Sequence, residues 1–167
     1  AVESENFPPV PEAQRGRVIP MGVEIDEAYM ARLATLPIDP DLIRRENSLK
    51  IVYTPLHGVG GVIIKPMLQR LGFQCEGVAE QEVPDGRFPT VKSPNPENAE
   101  ALSMAIAQAN RTGADLVIAT DPDDDRMGIA ARNANGDMQL ITGNQIGSIC
   151  HPPAGCTLRV PFGVMET

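Results

Sequence analysis

The sequence predicts an α/β fold of three layers, in which helices cover both faces of a mixed, mainly parallel sheet. Residues 48–149 alternate strand-like and helix-like segments in the order β-α-β-α-β, and a hairpin follows. Residues 115–120, with the sequence DLVIAT, form an apolar run that is typical of a parallel strand buried on both faces. The pair Asn135-Gly136 between two short apolar runs is a strong hairpin signal.

The predicted strands are short runs of branched apolar residues bounded by turn-forming residues. They cover residues 49–54, 73–79, 115–120, 127–132 and 138–141. Helical segments separate the first three runs, so these strands are expected to run parallel. Functional residues of such sheets gather at the carboxyl ends of the strands, where the most polar loops of this chain also fall.

Four segments have the apolar spacing or the end signals of helices. They are residues 24–36, residues 62–71, a helix from Pro96 to just before Gly113, and a helix that opens at Thr142. Asn95 is the expected N-cap of the third helix, because its side chain can accept a backbone N–H. Pro66 lacks an N–H, so it is expected either to kink the second helix or to mark its true first turn.

Composition limits the class of protein. Hydrophobic residues make up 42% of the chain and aromatic residues only 4%, so the core is expected to be aliphatic. No apolar run is long enough to span a bilayer. The net charge of −8 argues against a surface that binds nucleic acid. The three cysteines show no paired spacing, which favours a reducing compartment such as the cytoplasm over a disulfide framework.

The uneven distribution of proline and glycine predicts three parts. Residues 1–47 form an N-terminal arm with a connector helix, and residues 48–149 form the ordered α/β domain. Residues 150–167 have neither strand nor helix periodicity, so they form an unassigned tail that is a candidate for non-native sequence. The acidic, proline-containing start is not a signal peptide. The missing initiator Met leads us to expect a piece of a longer protein.

The sharpest chemical feature is the acidic loop, residues 121–126 (DPDDDR), directly after the buried third strand. Asp121, Asp123 and Asp125 alternate, so their side chains can converge on one point of a tight loop. Three carboxylate oxygens suit a hard divalent cation such as Mg²⁺ or Mn²⁺. Arg126 adds a planar cation suited to phosphate oxygens. The competing interpretation is a solvated acidic loop without a ligand.

Two other motifs begin with the same D-x-D pattern. A calcium-binding EF-hand loop is excluded, because Arg126 and Arg132 stand where it needs Gly and Glu. A haloacid-dehalogenase-type phosphatase with Asp121 as nucleophile remains the alternative, although Thr or Val normally stands at the position of Asp125.

Other polar segments carry weaker signals. The glycine turn, residues 57–61, completes neither a dinucleotide-binding nor a Walker pattern, so a strand-to-helix turn is favoured over a phosphate cradle. His57 could act as an acid or base, but a role in the turn is favoured. Arg87 and Lys92, in the loop at residues 84–94, could meet an anionic ligand, and the competing interpretation is a rigid surface loop without a ligand. The spacing of Cys150, His151 and Cys156 matches no standard zinc site.

Together, these segments resemble the second domain of the α-D-phosphohexomutases, the phosphoglucomutase and phosphomannomutase superfamily. The resemblance covers residues 48–149 and rests on four segments in the same order and spacing. They are residues 53–61 (YTPLHGVGG), 84–97 (PDGRFPTVKSPNPE), 121–126 (DPDDDR) and 140–147 (LITGNQIG).

The resemblance implies a function. The loop matching Asp121, Asp123 and Asp125 binds Mg²⁺ in the family, and a phosphoserine oxygen from the first domain is the fourth ligand. The arginine matching Arg126 contacts phosphate at the reaction centre, so the resemblance implies Asp125 and Arg126 as substrate-binding residues. A sugar monophosphate takes the phosphoryl group of the phosphoserine, and the resulting bisphosphate turns over and returns the other phosphoryl to the serine.

The chain departs from whole family members. It lacks matches to the family's serine loop, sugar-selecting loop and second phosphate-binding loop. The resemblance therefore implies one excised domain that is inactive alone, with the missing domains of the same chain and a sugar phosphate as its partners. A third hypothesis is a non-catalytic module whose acidic loop contacts a basic protein.

Overall fold

The computed structural model describes residues 10–150, except for the side chain of Cys150. The strands are Lys50–Thr54 (β1), Gln74–Gly77 (β2), Leu116–Thr120 (β3), Met127–Arg132 (β4) and Met138–Ile141 (β5). The α-helices are Val23–Leu33 (α1), Pro40–Glu46 (α2), Ile64–Arg70 (α3), Ala79–Glu82 (α4), Ser103–Thr112 (α5) and Gly143–Cys150 (α6). Single 3₁₀ turns cover Glu12–Gln14 and Gly60–Val62.

The five strands form one mixed sheet in the order β2-β1-β3-β4-β5. β1 lies parallel to both β2 and β3, whereas β4 is antiparallel to both β3 and β5. Because β4 reverses the direction and β5 reverses it again, four of the five strands point the same way. The structure thus confirms the mixed, mainly parallel sheet and the hairpin at Asn135-Gly136.

Two separate apolar clusters show that helices pack on both faces of the sheet. The first cluster lies under α5, and its members on the strands and around this helix are Val52, Leu102, Ala105, Ala109, Val117, Ala119 and Ala130. The second cluster joins Ile51, Tyr53 and Cys75 to Ile64 and Leu68 of α3. Neighbouring β1 residues enter different clusters because successive side chains of a strand point to opposite faces. The predicted three-layer arrangement is confirmed.

Local signals in the sequence explain where two of the helices begin. Pro66 lies in the first turn of α3, where a missing N–H leaves no hydrogen bond unmade. Asp39 caps α2, because its carboxylate accepts a hydrogen bond from Leu42 N at 2.9 Å and Pro40 occupies the first helical position. The expected helix at residues 62–71 is shorter than predicted, since the 3₁₀ turn Gly60–Val62 comes before α3.

The prediction that the third helix begins at Pro96 is wrong, because α5 begins at Ser103. Asn95 does accept a backbone hydrogen bond, from Glu97 N at 3.0 Å, but this bond closes a turn. A second turn follows, in which Ser103 N donates to Glu100 O at 3.2 Å. Hydrogen bonds that close such turns compete with those of a helix, so α5 begins seven residues later than predicted.

Two further boundaries and one short helix differ from the sequence prediction. β2 ends at Gly77, so the predicted strand 73–79 is too long, and the short helix α4 was not predicted. α1 ends at Leu33, before the predicted end at residue 36.

Among the described residues, no helix combines the length and the apolar character needed to cross a membrane. The start of the arm and most of the tail, with His151 and Cys156, lie outside the described residues.

Candidate metal centre

Three polar loops meet at the carboxyl edge of the parallel strands. β1 and β3 are parallel neighbours, so the glycine turn after β1 and the acidic loop after β3 leave the sheet side by side. The main chain of the two loops is joined directly, because Val59 N donates to Pro122 O at 3.1 Å. The 84–94 loop reaches the same place, where Asp85 N donates to His57 O at 3.0 Å.

The acidic loop is a tight turn closed by its own backbone. Asp124 N donates to Asp121 O at 3.2 Å, and Asp121 N donates to Arg126 O at 3.3 Å. Asp124 adopts a left-handed conformation with φ of 61°, which aspartate tolerates better than most residues. The turn brings one carboxylate oxygen each of Asp121, Asp123 and Asp125 within 4.8 Å of one another. The three aspartates that alternate in the sequence therefore lie close together in the structure.

Arg126 is tied to the loop by the first aspartate. Its backbone N donates to Asp121 Oδ1 at 3.0 Å, and its guanidinium Nε donates to Asp121 Oδ2 at 2.9 Å. Asp121 is buried, with 1% of its side chain exposed, whereas 55% of the Arg126 side chain is exposed. Within residues 10–150, the recorded contacts of this guanidinium use Nε, which leaves its terminal NH₂ groups for an anion.

The carboxylates of the site have pKa values shifted in opposite directions. Burial opposes ionisation of Asp121, but the hydrogen bonds from Arg126 outweigh it and lower the pKa of Asp121. The pKa of Asp125 is raised by its hydrogen bond with Asp121 and by the negative charges of Asp123 and Asp121. The group therefore carries repulsion between like charges that Arg126 relieves only in part, and a bound cation would relieve it further.

The fourth carboxylate of the loop, Asp124, lies against Gly60, where an added Cβ would be 2.5 Å from Asp124 Oδ1. Asp124 Oδ1 is buried without a hydrogen-bond partner among the described residues. Burial raises the pKa of Asp124, and the charges of Asp121 and Asp123 act in the same direction. No role was predicted for Asp124 from the sequence. The only sequence feature that distinguishes it is that it falls outside the alternation of Asp121, Asp123 and Asp125.

The donor set fits a hard divalent cation. It consists of carboxylate oxygens alone, the ligands that Mg²⁺ and Mn²⁺ prefer over Zn²⁺ or copper. Although both oxygens of Asp121 accept hydrogen bonds from Arg126, each keeps a second lone pair for a metal. No other cluster of three such ligand residues occurs in the described part of the chain.

The other residues singled out in the sequence form the support of this edge. His57 is buried, and its ring Nε2 lies 2.8 Å from Thr90 Oγ1, so its position supports the favoured structural role in the turn. Arg87 pairs with Asp85, at 2.8 Å between Nη2 and Oδ2, within the 84–94 loop. Lys92 lies in that loop, and its backbone N donates to Glu100 at 3.4 Å.

The sequence matches one protein family and several of its members. The family described as phosphoglucomutase/phosphomannomutase, alpha/beta/alpha domain II, matches residues 27–136, about two thirds of the chain. A phosphoglucomutase of Staphylococcus haemolyticus is 46% identical over 105 residues, which cover 62% of this chain and 19% of that protein. A probable phosphomannomutase of Haemophilus influenzae is 39% identical over 125 residues, which cover 74% of this chain and 25% of that protein.

A solved structure agrees with these relatives. The crystal structure of a phosphoglucomutase/phosphomannomutase family protein from Burkholderia thailandensis is 26% identical and superposes with a TM-score of 0.52. The superposition covers 70% of this chain and 23% of that one. The chain thus spans a quarter or less of these proteins, and neither the matched family nor the named relatives include a haloacid-dehalogenase-type phosphatase. This chain belongs to the phosphoglucomutase/phosphomannomutase family, in which it matches the α/β/α domain II.

Proposed function

We propose that this chain is the metal-binding domain of a phosphosugar mutase, in which Asp121, Asp123 and Asp125 hold Mg²⁺. The observation that carries the proposal is the approach of three carboxylate oxygens to within 4.8 Å at the end of a buried parallel strand. The family match adds weight, because it places this loop in domain II of enzymes named phosphoglucomutase and phosphomannomutase. A cytoplasmic location is part of the proposal, and the buried free thiol of Cys75 is compatible with it.

In this proposal, Arg126 and Asp125 face the phosphoryl group that is transferred. Asp121 holds Nε of Arg126, so the planar guanidinium keeps a defined direction and offers its terminal NH₂ groups to phosphoryl oxygens. The bound Mg²⁺ would supply positive charge that neutralises the phosphoryl oxygens in transit. Asp125, with 71% of its side chain exposed, lies on the solvent side of the loop, where a substrate arrives.

The proposed reaction of the whole enzyme moves a phosphoryl group between two hydroxyls of a sugar. The P–O bond of a phosphoserine breaks as a sugar hydroxyl forms a new P–O bond, and the proton that the hydroxyl loses balances the one that serine gains. The sugar bisphosphate then reverses its orientation in the site and returns its other phosphoryl group to the serine. The phosphoserine and the sugar contacts belong to flanking domains, so we expect this domain alone to be inactive.

Metal binding is tested by titrating the 167-residue chain with Mn²⁺ and measuring the bound fraction by electron paramagnetic resonance. Asp123→Asn should weaken Mn²⁺ binding by at least about tenfold, because one carboxylate ligand is lost. Asp137→Asn removes the same charge from the exposed hairpin and should leave the affinity unchanged. Equal affinities of the Asp123→Asn variant and the wild type would contradict the site and favour the non-catalytic acidic module.

Inactivity of the isolated domain is tested by incubating it with glucose 1-phosphate, mannose 1-phosphate and a sugar bisphosphate. We expect no interconversion, since the phosphoryl donor lies outside this domain. Release of phosphate from an aryl phosphate, abolished by Asp121→Asn, would instead support the phosphatase alternative.

A further inference from the structure

The turn that follows β1 is held in a conformation that its residues do not favour. Leu56 and His57 both have left-handed backbones, with φ of 47° and 63°. Two consecutive left-handed residues other than glycine are unusual, because each brings Cβ close to the following carbonyl oxygen. Strain of this kind persists only where the surrounding structure imposes it, and it concentrates near functional sites.

A buried network of polar groups imposes this conformation. Thr54 Oγ1 donates to Gln81 Oε1 at 2.7 Å and accepts from Leu56 N at 3.1 Å. Gln81 Nε2 donates to Thr90 Oγ1 at 2.9 Å, and the His57 ring lies 2.8 Å from the same hydroxyl. His57 N donates to Gln81 O at 3.0 Å. The turn is therefore anchored by side chains from three separate segments.

The strained turn is in direct contact with the acidic loop. Gly58 faces Pro122 so closely that a Cβ at residue 58 would lie 2.3 Å from Pro122 Cα and 2.7 Å from Pro122 O. The next residue, Val59, donates its N–H to Pro122 O at 3.1 Å. Pro122 separates Asp121 from Asp123, so a displacement of Pro122 would move these two residues relative to each other.

We propose that residues 56–59 form a positioning element for the acidic loop, in which Gly58 and Val59 seat Pro122 and His57 anchors the turn. A backbone surface without a side chain lets the two loops approach to contact, and the hydrogen bond from Val59 sets their register. The inference rests on the proposed function only where it concerns metal binding, since the seating of the loop is a property of the metal-free protein.

The first test therefore needs no metal. In Gly58→Ala, the new Cβ would displace Pro122, so the amides of Asp124 and Arg126 should lose protection from hydrogen exchange measured by NMR. The amides of Val117 and Ala119 in β3 should keep theirs. Gly61→Ala is the matched control in the same turn, because its Cβ would meet Glu82 O at an ordinary 3.6 Å. Unchanged exchange in the acidic loop of Gly58→Ala would overturn the inference.

The second measurement is Mn²⁺ affinity. Gly58→Ala should bind Mn²⁺ about 10- to 100-fold more weakly than the wild type, as changes to the supports of metal ligands commonly do, whereas Gly61→Ala should match the wild type. If the wild type itself binds no Mn²⁺, the proposed function fails while the exchange experiment still decides the positioning role. A folded Gly58→Ala variant with wild-type affinity would count against the inference.

A second variant covers the case in which Gly58→Ala does not fold. His57→Ala introduces no new atoms, but it removes the ring that contacts Thr90. The acidic loop should then exchange faster and bind Mn²⁺ more weakly, while the β3 amides remain protected. Wild-type exchange and affinity in His57→Ala would show that the ring does not anchor the turn.

Discussion

At the scale of single residues, the acidic loop shows how position decides the chemistry of identical side chains. Asp121 and Asp124 are separated by two residues, yet the pKa of Asp121 is lowered and that of Asp124 is raised. Burial opposes the ionisation of both carboxyl groups, but Asp121 accepts hydrogen bonds from the backbone and the guanidinium of Arg126, which favour its charged form. Asp124 keeps a buried oxygen without a partner, which opposes folding, and its hydrogen bond with Thr120 lowers its pKa by less than burial raises it.

Replacement of Asp124 by glycine should therefore stabilise the metal-free protein. The change removes an unpartnered buried oxygen and places glycine at a left-handed position, which together should add about 1 kcal/mol to the free energy of unfolding. Urea unfolding in the presence of a chelator measures this value. Asp137→Asn, in the hairpin, should leave it unchanged, and a loss of stability in Asp124→Gly would show that the Asp124 side chain makes favourable contacts.

A second residue-scale prediction concerns Asp85. The hydrogen bonds from the Arg87 side chain and backbone lower the pKa of Asp85 from 3.8 to about 2. Because the folded pKa is the lower one, this pair stabilises the fold above pH 3.8, and the contribution is lost as the pH falls toward 2. In Arg87→Ala, the pKa of Asp85 measured by carboxyl NMR should rise toward 3.8. Arg70→Ala, which removes the partner of Glu27, should not move it.

At the scale of elements, the ends of the helices are decided by different forces. α5 ends where the sequence predicts, because Gly113 adopts the left-handed conformation, with φ of 69°, that closes helices. Its start is delayed to Ser103 by the turns that follow Asn95. The C-terminal signal is local to one residue, whereas the N-terminal signal competes with alternative hydrogen bonds.

Alanine should have opposite effects at two glycines that differ in backbone conformation, Gly113 and Gly147. Gly113→Ala places a side chain in open space but in a left-handed conformation, so it should lower the free energy of unfolding by about 1 kcal/mol. Gly147→Ala also meets no atom within 4 Å and lies inside α6, so it should stabilise by about 0.5–1 kcal/mol. Thermal unfolding of both variants checks the opposite signs, and equal signs would contradict the assigned backbone conformations.

At the scale of the whole molecule, the two apolar clusters hold the sheet between its helices and keep the loops of its carboxyl edge together. Leu102 is 0% exposed and belongs to the cluster under α5, which also supports β1 and β3. The loops that follow these two strands carry the glycine turn and the acidic loop. Stability of the core and geometry of the site are therefore linked.

Leu102→Ala should destabilise the protein by about 2–5 kcal/mol, because it removes buried methyl groups and leaves a cavity. Leu42→Ala is the matched control in α2, where the leucine is 46% exposed, and it should change the free energy of unfolding by less than about 0.5 kcal/mol. Denaturant unfolding of both variants measures the difference. Equal effects would show that the cluster under α5 is not the main core.

The sequence by itself determined the order of the five strands, the hairpin at Asn135-Gly136 and the place of the acidic loop after β3. These features follow from patterns within a few residues, namely apolar periodicity, turn residues and helix ends. The order also places the loops after β1 and β3 at one edge, because parallel neighbours end on the same side.

Only the tertiary structure decided the inward direction of Asp124, the bond between Asp121 and Arg126, the left-handed pair Leu56 and His57, and the contact of Gly58 with Pro122. The left-handed pair depends on hydrogen bonds with Gln81 and Thr90, which lie far along the chain, and the contact of Gly58 with Pro122 depends on the pairing of β1 with β3. The first two depend on how a short loop distributes hydrogen bonds between competing carboxylates. Side-chain periodicity predicts none of these four features, because it indicates which face of an element is buried but not which atoms come into contact.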